Sequence, residues 1–390
     1  MKIAMQDCCG CHACASVCPK QCISMKPNGE GFLYPQVEEA LCVNCGKCEA
    51  VCPVLHPAVP DANGGPAAYA AIHPDARIRA ESSSGGVFSA LAKEVLDRKG
   101  IVFGAAWTED FRKVRHIAVE SEEELSSLRG SKYLQSEMGD CYVRVRSALE
   151  AGRAVLFSGT PCQVEGLHAF LGSAYENLLL VDIVCHGVPA PAVWQCYLDQ
   201  CSQTAGAEIR SVSFRDKQRG WKQYKVKLSW ENGTNQVRSL LKDPFMEAFL
   251  GNACLRPSCH NCRFKRVSRV SDLTLADFWG VEDACPEMDD DRGTSLVLVH
   301  SEKGGRILEK VNLQLRRVSL EEALTGNPSA ASVSAAHPNR EAFLAALDTM
   351  PFETAVKTWV RKPVTLRNRI GALLERLGLV DLVKKLLGMG

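Results

Sequence analysis

The chain has 390 residues, of which 46% are hydrophobic and 23% charged, and its formal net charge is +1. This is the composition of a folded globular protein, and the near-zero charge excludes a strongly basic nucleic-acid binder. No apolar stretch reaches the length of a membrane-spanning helix, and the first residues lack the apolar core of a signal peptide. The nineteen cysteines are the outlier. We therefore expect a cytoplasmic protein, and because a chain of this length does not need disulfides, we expect the clustered thiols to be reduced and to bind metal.

Two cysteine runs with the same spacing lie near the N-terminus. Each reads C-x2-C-x2-C-x3-C and is followed by a proline, Pro19 or Pro53. This spacing is typical of bacterial ferredoxins with two 4Fe–4S clusters, in which the fourth cysteine of each run ligates the cluster of the other run. The predicted ligands of the first cluster are Cys8, Cys11, Cys14 and Cys52. The predicted ligands of the second cluster are Cys42, Cys45, Cys48 and Cys18.

A pair of zinc sites is the alternative for these cysteines. Zinc prefers two separated pairs of ligands, and it explains neither the third close cysteine nor the proline after each run. The spacing therefore favours iron–sulfur clusters, which carry single electrons. Cys9 and Cys22 have no ligand role in this assignment, and we expect both to be buried as small hydrophobic side chains.

The sequence after the two cysteine runs predicts a linker followed by two further regions. Residues 57–66 (PAVPDANGGP) are rich in Pro, Gly and small polar residues. An α+β ferredoxin-like domain, residues 1–56, is thus fused to residues 67–320, whose alternating apolar and amphipathic segments predict a mixed α/β domain with largely parallel strands. We expect a helical C-terminal region over residues 321–390. Its segment 364–387 has Leu and Ile at helical spacing, which favours packing on the core, with docking to a partner or a membrane surface as the alternative.

Individual elements follow from the same patterns. We expect a helix over residues 82–100, because serines precede an amphipathic run that ends at Gly100. Residues 209–238 alternate like an antiparallel pair of strands. Short apolar runs predict strands at residues 67–72, 101–107, 153–158 and 178–185, with a helix between the last two.

Four further cysteines lie at informative positions. Cys162 follows the third of the predicted strands, and Cys185 ends the fourth. If both strands belong to one parallel sheet, their carboxyl ends share an edge, which is where α/β folds bind ligands. Together with the C-x2-C pair Cys259 and Cys262 they predict a third 4Fe–4S cluster, and a structural zinc is the alternative. Cys254 is a reserve ligand, because it extends the pair to C-x4-C-x2-C.

Two loops suit a phosphate-bearing cofactor. SSSGG (82–86) opens the predicted helix, whose N-terminal N–H groups favour an anion, although serine at a helix start is more often a simple cap. RGSKY (129–133) offers Lys132 to a phosphate or to a reduced flavin, and a solvated turn is the alternative. The sequence contains neither G-x-G-x-x-G nor a Walker motif, so a dinucleotide would bind outside the standard fingerprints.

Six ordered motifs within residues 67–320 resemble those of the beta subunits of coenzyme F420-reducing hydrogenase and of F420-linked formate dehydrogenase. They are SSSGGVFSALAKEVLDRKGIVFGAAW, RGSKYLQS, VLFSGTPCQVEGLHAFL, LVDIVCHGVP, LRPSCHNCRFK and SDLTLADFWG. The resemblance implies an iron–sulfur flavoprotein that binds FAD and one 4Fe–4S cluster in this domain and exchanges electrons with a deazaflavin hydride carrier. The implied cluster ligands are Cys162, Cys185, Cys259 and Cys262. The implied flavin-binding residues are Ser84, Gly85, Gly86, Lys132, Thr160 and Gln163.

The motifs DIVCHGVP and FRDKQRGW resemble a bacterial branch of this family, and the wider family includes reductases of chlorophyll intermediates. The resemblance therefore implies the flavin and leaves the hydride carrier open. FRDKQRGWK (214–222) supplies cations and an aromatic ring for an acidic, flat substrate, and a solvated hairpin tip is the alternative. These residues are Arg215, Lys217, Arg219, Trp221 and Lys222. Asp277, which ends a predicted strand, is expected to orient flavin or substrate.

These features together predict a flavin-dependent iron–sulfur oxidoreductase. It would move electrons between a ferredoxin-like donor or acceptor, three 4Fe–4S clusters and FAD, with hydride exchange to coenzyme F420 or a related small-molecule acceptor. An electron-transfer subunit of a larger redox complex, with no substrate site of its own, is the alternative. A regulatory or structural protein that holds clusters without turnover is a third possibility.

Overall fold

The computed structural model describes residues 3–60 and 65–361. The predicted amphipathic segment 364–387 therefore lies outside the described residues. Within the described part, the chain has a mixed α/β fold built around one large sheet, which confirms the predicted fold class. None of the helices in this part is both long and apolar enough to cross a bilayer.

The N-terminal region combines a small antiparallel sheet with two short helices, each lying inside one cysteine run. Its elements are β1 (Ile23–Pro27), β2 (Leu33–Val37), α1 (Ala13–Val17) and α2 (Lys47–Ala50). Each helix begins directly after a residue in the left-handed conformation, His12 with φ of 68° and Gly46 with φ of 72°. The chain therefore turns sharply between the second and third cysteines of each run.

Strands alternate with helices along most of the remaining chain. In chain order, the strands are β3 (Ala67–Ile72), β4 (Ile101–Trp107), β5 (Val114–Val119), β6 (Val155–Gly159), β7 (Leu178–Ile183), β8 (Ile209–Asp216), β9 (Lys225–Trp230), β10 (Asn235–Ser239), β11 (Leu273–Asp277), β12 (Ser295–Val299) and β13 (Gln314–Val318). The helices are α3 (Ala76–Glu81), α4 (Val87–Leu96), α5 (Cys141–Glu150), α6 (Pro161–Leu171), α7 (Pro191–Ala205), α8 (Pro244–Leu250), α9 (Val281–Ala284), α10 (Glu302–Lys310), α11 (Leu320–Thr325), α12 (Arg340–Ala346) and α13 (Phe352–Trp359).

The large sheet has the strand order β13-β3-β12-β11-β7-β6-β4-β5. Its centre is parallel, since β11, β7, β6 and β4 run in one direction. The flanking strands are antiparallel to their neighbours. The central strands β6 and β7 are covered on both faces and accordingly read as short, nearly continuous apolar runs. The predicted parallel pairing therefore holds at the centre of the sheet.

The strands β8, β9 and β10 form a separate antiparallel sheet. The alternation over residues 209–238 had predicted an antiparallel pair, and the structure adds the third strand. The tip between β8 and β9 folds back toward the large sheet, because the ring of Trp221 lies on that of Trp279 with centroids 4.6 Å apart.

The helix predicted over residues 82–100 is wrong at both ends. Helix α4 covers only Val87–Leu96, and the SSSGG segment is a loop. Gly85 lies so close to β3 and β12 that an added Cβ would be 2.2 Å from the carbonyl oxygen of Ala71. Gly86 then has a φ of 86°, a conformation that few residues other than glycine adopt. This close approach and the left-handed turn delay the helix by five residues.

The N-terminal region packs on one face of the large sheet. Cys11, Ala13 and Val54 share an apolar cluster with Val164 and Leu167 of α6. The opposite face of the sheet is covered by α4 and α10. The cysteine runs are thus held against the helix that follows β6, where Cys162 is located.

Candidate functional site

The first predicted cluster set lies around one cavity. Cys8, Cys11, Cys14 and Cys52 are all at most 9% exposed, and all four line this cavity together with Cys9. We call the four the inner set. Three come from the loop around the start of α1, and Cys52 follows α2, so the fourth cysteine of the second run lies beside the first run.

The second predicted set, which we call the outer set, lies nearer the surface. Cys18, Cys42 and Cys48 are partly exposed, and Cys45 is exposed. The buried Cys22 lies among them, with its Sγ 3.4 Å from that of Cys18 and its thiol in contact with Cys42. Cys22 is buried as expected, but it borders this set and does not simply fill an apolar core.

The third predicted set surrounds a second cavity beside the carboxyl ends of two neighbouring parallel strands. Cys162 lies in the first turn of α6, directly after β6, and Cys185 comes two residues after β7. Cys259 and Cys262 come from a 3-10 turn and its end. All four line the same cavity. We call them the third set.

Several buried cysteines of the inner and third sets are difficult to ionise in the protein interior. Burial, together with the neighbouring cysteines, raises the pKa of Cys14 and of Cys185 to about 12. Burial also raises the pKa of Cys259. Such thiols become thiolates when they bind metal, with release of their protons. Among the residues that the structure describes, no three His, Cys, Asp or Glu side chains converge closely enough to ligate a single metal ion.

Cys9 lies between the inner and third sets. It is buried, it lines both cavities, and its thiol contacts Cys11 on one side and Cys162 on the other. Its carbonyl oxygen accepts a hydrogen bond of 2.7 Å from Nε2 of Gln135. The two cavities are therefore direct neighbours. This position had no signal in the sequence, where Cys9 was expected to fill space only.

Cys254, the reserve ligand, lies away from these cavities. It is fully buried in the apolar core with residues of α7 and α8, and its carbonyl oxygen accepts a hydrogen bond from the N–H of Ala190. The structure thus gives Cys254 the surroundings of a packing residue.

A third cavity, of about 750 Å³, is lined in part by the RGSKY segment. We call it the large cavity. Its size suits a dinucleotide-sized cofactor. Its wall includes the loop at Ser82 and Ser83, the turn after β4, the RGSKY segment and the end of β8. Its cationic lining residues are Arg129, Lys132, Arg215 and Lys217.

Two of these cations form no ion pair within the described part of the chain. Nζ of Lys132 donates to three backbone carbonyls, the shortest bond being 2.8 Å to Arg129, and burial lowers the pKa of Lys132 to about 7. Nζ of Lys217 donates to the carbonyl oxygens of Arg79 and Arg292, and burial lowers its pKa to about 8. Both ammonium groups are thus poorly compensated and would gain from an anionic ligand.

Arg215 lies at the wall of the large cavity, locked between acid and aromatic groups. Its Nη1 is 2.8 Å from Oδ2 of Asp277, and its guanidinium lies 3.8 Å from the ring centre of Tyr224 and 5.2 Å from that of Trp279. Asp277 therefore orients Arg215. Trp221 is 1% exposed and its ring stacks on that of Trp279. The expectation that Trp221 holds a substrate is therefore wrong.

The predicted flavin-binding residues are divided between different places. Lys132 lines the large cavity. Ser84, Gly85 and Gly86 anchor the loop behind it, where Oγ of Ser84 donates to the carbonyl oxygen of Thr294. The two serines of this motif that face the cavity are Ser82 and Ser83, which directly precede Ser84.

Thr160 and Gln163 lie on the cysteine side of the molecule. They form the capping box at the start of α6, and Thr160 lines the cavity of the third set. Nε2 of Gln163 donates to the carbonyl oxygen and the hydroxyl of Ser136. These two residues thus hold the turn that presents Cys162.

The large cavity and the third set are connected by a short stretch of chain. Lys132 lines the former and Gln135 lines the cavity of the latter. Three residues span at most about 11 Å between Cα atoms. Groups bound in the two cavities would therefore be close neighbours.

Comparisons with known proteins find the same family that the sequence motifs resemble. The family model of the coenzyme F420 hydrogenase/dehydrogenase beta subunit matches this chain in two parts, the N-terminal part at residues 68–141 and the C-terminal part at residues 152–322. A 4Fe-4S dicluster domain matches residues 7–55. A chain of the xenon-derivatised F420-reducing NiFe hydrogenase complex from Methanosarcina barkeri is similar in structure, with 16% identity, a TM-score of 0.47 and coverage of 79% of this chain and 100% of that chain. No curated protein matches.

The two regions matched by the beta subunit family together cover more than half of the 390 residues. The dicluster match adds the N-terminal cysteine runs. The chain therefore belongs to the coenzyme F420 hydrogenase/dehydrogenase beta subunit family and is an iron–sulfur oxidoreductase with a 4Fe-4S dicluster domain at its N-terminal end.

Proposed function

We propose that the chain is an iron–sulfur flavoprotein that passes electrons between a ferredoxin-type partner, three 4Fe–4S clusters and FAD, with hydride exchange to coenzyme F420 or a related acceptor. The observation that carries this proposal is the succession of cavities. The outer set is partly exposed, the buried inner set adjoins the third set through Cys9, and the large cavity lies three residues along the chain from the cavity of the third set.

The cysteine sets suit clusters in this order. The inner set shares Cys9 with the third set, whereas the outer set contains the exposed Cys45. An external electron carrier therefore meets the outer set first, and the inner set relays electrons to the third set. Each set supplies four cysteines, the usual number for a 4Fe–4S cluster.

The large cavity suits FAD. Its volume is that of a cofactor site, and Lys132 and Lys217 supply cations for a pyrophosphate. Arg215, held by Asp277 and Tyr224, adds a fixed cation at the same wall. When bound, FAD would accept electrons singly and deliver a pair as hydride, which clusters alone do not do.

The first test is the content of iron, acid-labile sulfide and flavin per chain in anaerobically prepared protein. We expect about twelve irons, from three clusters of four, and one FAD. About eight irons and no flavin would contradict the third cluster and the flavin, and zinc in place of iron would contradict the clusters altogether.

The flavin site is tested by paired lysine variants. Lys132→Met and Lys217→Met should lower flavin content or affinity while iron per chain stays unchanged. Lys222→Met is the matched control, because Lys222 is an exposed lysine of the same hairpin that pairs with Asp289 outside the cavity. Equal loss of flavin in the control would argue against the large cavity as the site.

An electron-transfer subunit without its own substrate site is the second candidate. It is favoured by the apolar residues Leu41 and Val43, which flank Cys42 and are 50% and 56% exposed, as a partner-covered surface would be. Reduced protein that bleaches oxidised coenzyme F420 under anaerobic conditions would support the first candidate with that acceptor. Flavin reduction without transfer to any hydride carrier would support the second.

A further inference from the structure

Arg256 is a buried cation that connects the N-terminal region to the large domain. It is 1% exposed and lies directly before the 3-10 turn that carries Cys259. Its Nε donates to the carbonyl oxygen of Cys8 at 2.7 Å, Nη1 to Oε1 of Gln135 at 3.0 Å and Nη2 to the carbonyl oxygen of Leu33 at 2.9 Å. All three acceptors are neutral.

Arg256 forms no ion pair with a carboxylate within residues 3–60 and 65–361, and its hydrogen bonds to Cys8, Gln135 and Leu33 go to amide oxygens. The rings of Tyr34 and Phe32 lie 4.3 and 5.2 Å from it. Such rings attract a cation but do not neutralise it. A fully buried charge is costly unless an anion pairs with it.

The surroundings identify the anion. The guanidinium interacts with the thiol of Cys8 as well as with its carbonyl oxygen, and electrostatically with the thiol of Cys162. The loop between them fits closely, because a Cβ added to Gly10 would be 2.7 Å from Nη1 of Arg256. Cys8 belongs to the inner set and Cys162 to the third set. A thiolate-ligated 4Fe–4S cluster is anionic, and its reduction adds one further negative charge.

We propose that Arg256 is the counter-cation of the inner-set cluster and sets its reduction potential. This inference rests on the cluster assignment of the proposed function. A fixed positive charge favours the reduced state, so Arg256 raises the potential of the cluster that it faces. The cluster in turn compensates a guanidinium that would otherwise be buried without an anion. Arg256 acts here through electrostatics and positioning and does not ligate iron.

The test is potentiometric titration of the clusters, followed by EPR, in the full-length protein. The variant Arg256→Gln keeps hydrogen-bonding capacity and removes the charge. In this variant we expect the equilibrium constant for reduction of one cluster to fall by at least about tenfold, which lowers its reduction potential by about 59 mV for a one-electron couple. In Arg256→Lys, which keeps the charge, the potential should stay near that of the wild type. Repeating the titration with Cys45→Ala, which removes an outer-set ligand, should leave this shift in place.

Arg340→Gln is the matched control. Arg340 also joins the two regions, through an ion pair with Glu30 and hydrogen bonds to the carbonyl oxygen of Leu255, but no inner-set or third-set cysteine contacts it. It should leave all potentials unchanged. A similar shift in Arg340→Gln would assign the effect to docking and overturn the inference.

Four further outcomes are decisive. Unchanged potentials in Arg256→Gln with full iron content would overturn the inference alone and leave the proposed clusters in place. If Arg256→Gln loses iron but Arg256→Lys retains it, the charge supports the cluster, as proposed. If both variants lose the same iron, the shape of the guanidinium matters and its charge does not, and the inference is wrong. Wild-type protein without the expected iron would instead contradict the proposed function.

Discussion

The two cysteine runs have the same spacing and the same following proline, yet their surroundings differ. The inner set is buried against α6 and adjoins the third set through Cys9, whereas the outer set is partly exposed and includes the exposed Cys45. Local spacing makes each run able to bind a cluster, but tertiary packing decides what each cluster would connect to. In the proposed function, the outer set would meet an external partner and the inner set would transfer electrons within the protein.

Removing one ligand from each set should give the largest effects. Cys11→Ala and Cys45→Ala are each expected to lose about four irons per chain, the content of one cluster. Only Cys11→Ala should also destabilise the large domain, by more than about 4 kcal/mol, because its cluster adjoins α6. Iron analysis and urea unfolding, followed by tryptophan fluorescence, measure both effects.

Equal loss of stability in the two variants would show that the sets are coupled to the large domain in the same way. It would also remove the reason for distinguishing an inner set from an outer one.

The contact between α6 and the inner set gives an intermediate effect. A Cβ added to Gly166 would be 2.9 Å from Cβ of Cys11 and 3.0 Å from the hydroxyl of Tyr142. Gly166→Ala should therefore cost about 1–3 kcal/mol by overpacking and lower the iron content of the inner set. Urea unfolding and iron analysis of the purified variant measure this.

Gly172→Ala is the control from the same helix. Gly172 ends α6 with φ of 68° and an added Cβ there would touch nothing, so the variant should lose some stability from backbone strain and no iron. Iron loss in Gly172→Ala would mean that any disturbance of α6 releases the cluster.

The smallest expected effect concerns the large cavity, where burial shifts the pKa of a lysine and not the pKa of thiols. Burial lowers the pKa of Lys132 to about 7, and a bound flavin phosphate would raise it again. FAD binding near pH 8 should therefore take up close to one proton at Lys132, and this group alone should lower the affinity by up to about tenfold per pH unit above pH 7. Calorimetry in buffers of different ionisation enthalpy measures the uptake.

Lys132→Met should lower the proton uptake and weaken this pH dependence, and the remainder should come from Lys217, whose pKa burial lowers to about 8. Proton release on binding, or unchanged uptake in Lys132→Met, would place the flavin phosphate elsewhere.

Local patterns predicted much of the fold and some of the site. The apolar runs identified β3, β4, β6 and β7, and the positions of Cys162 and Cys185 after two of them indicated a shared edge of the sheet. The start of α4 could not be read from its serines, because the carbonyl oxygen of Ala71 and the left-handed Gly86 decide it. The third strand β10 was missed because the segment after the β9 turn is short and polar.

The flavin-binding residues were predicted less well than the cysteines. A cysteine motif keeps its ligands within a few residues of one another, so its grouping is a local property. The wall of the large cavity instead comes from four separate segments, and only the packed sheets show that Ser82, Ser83 and Lys217 face it while Ser84 and Gly85 do not. A motif located the loop but not the residue that faces the cavity.

By itself, the sequence determined the number and spacing of the cysteine runs, the linker-like break between regions, the mixed α/β class and the family, because these depend on short local patterns and their order. Tertiary structure alone decided the different surroundings of the two runs, the place of Cys9 between two cavities and the burial of Arg256. Arg256 and Cys8 are 248 residues apart in the chain, and packing joins them. No local pattern records a contact of that separation.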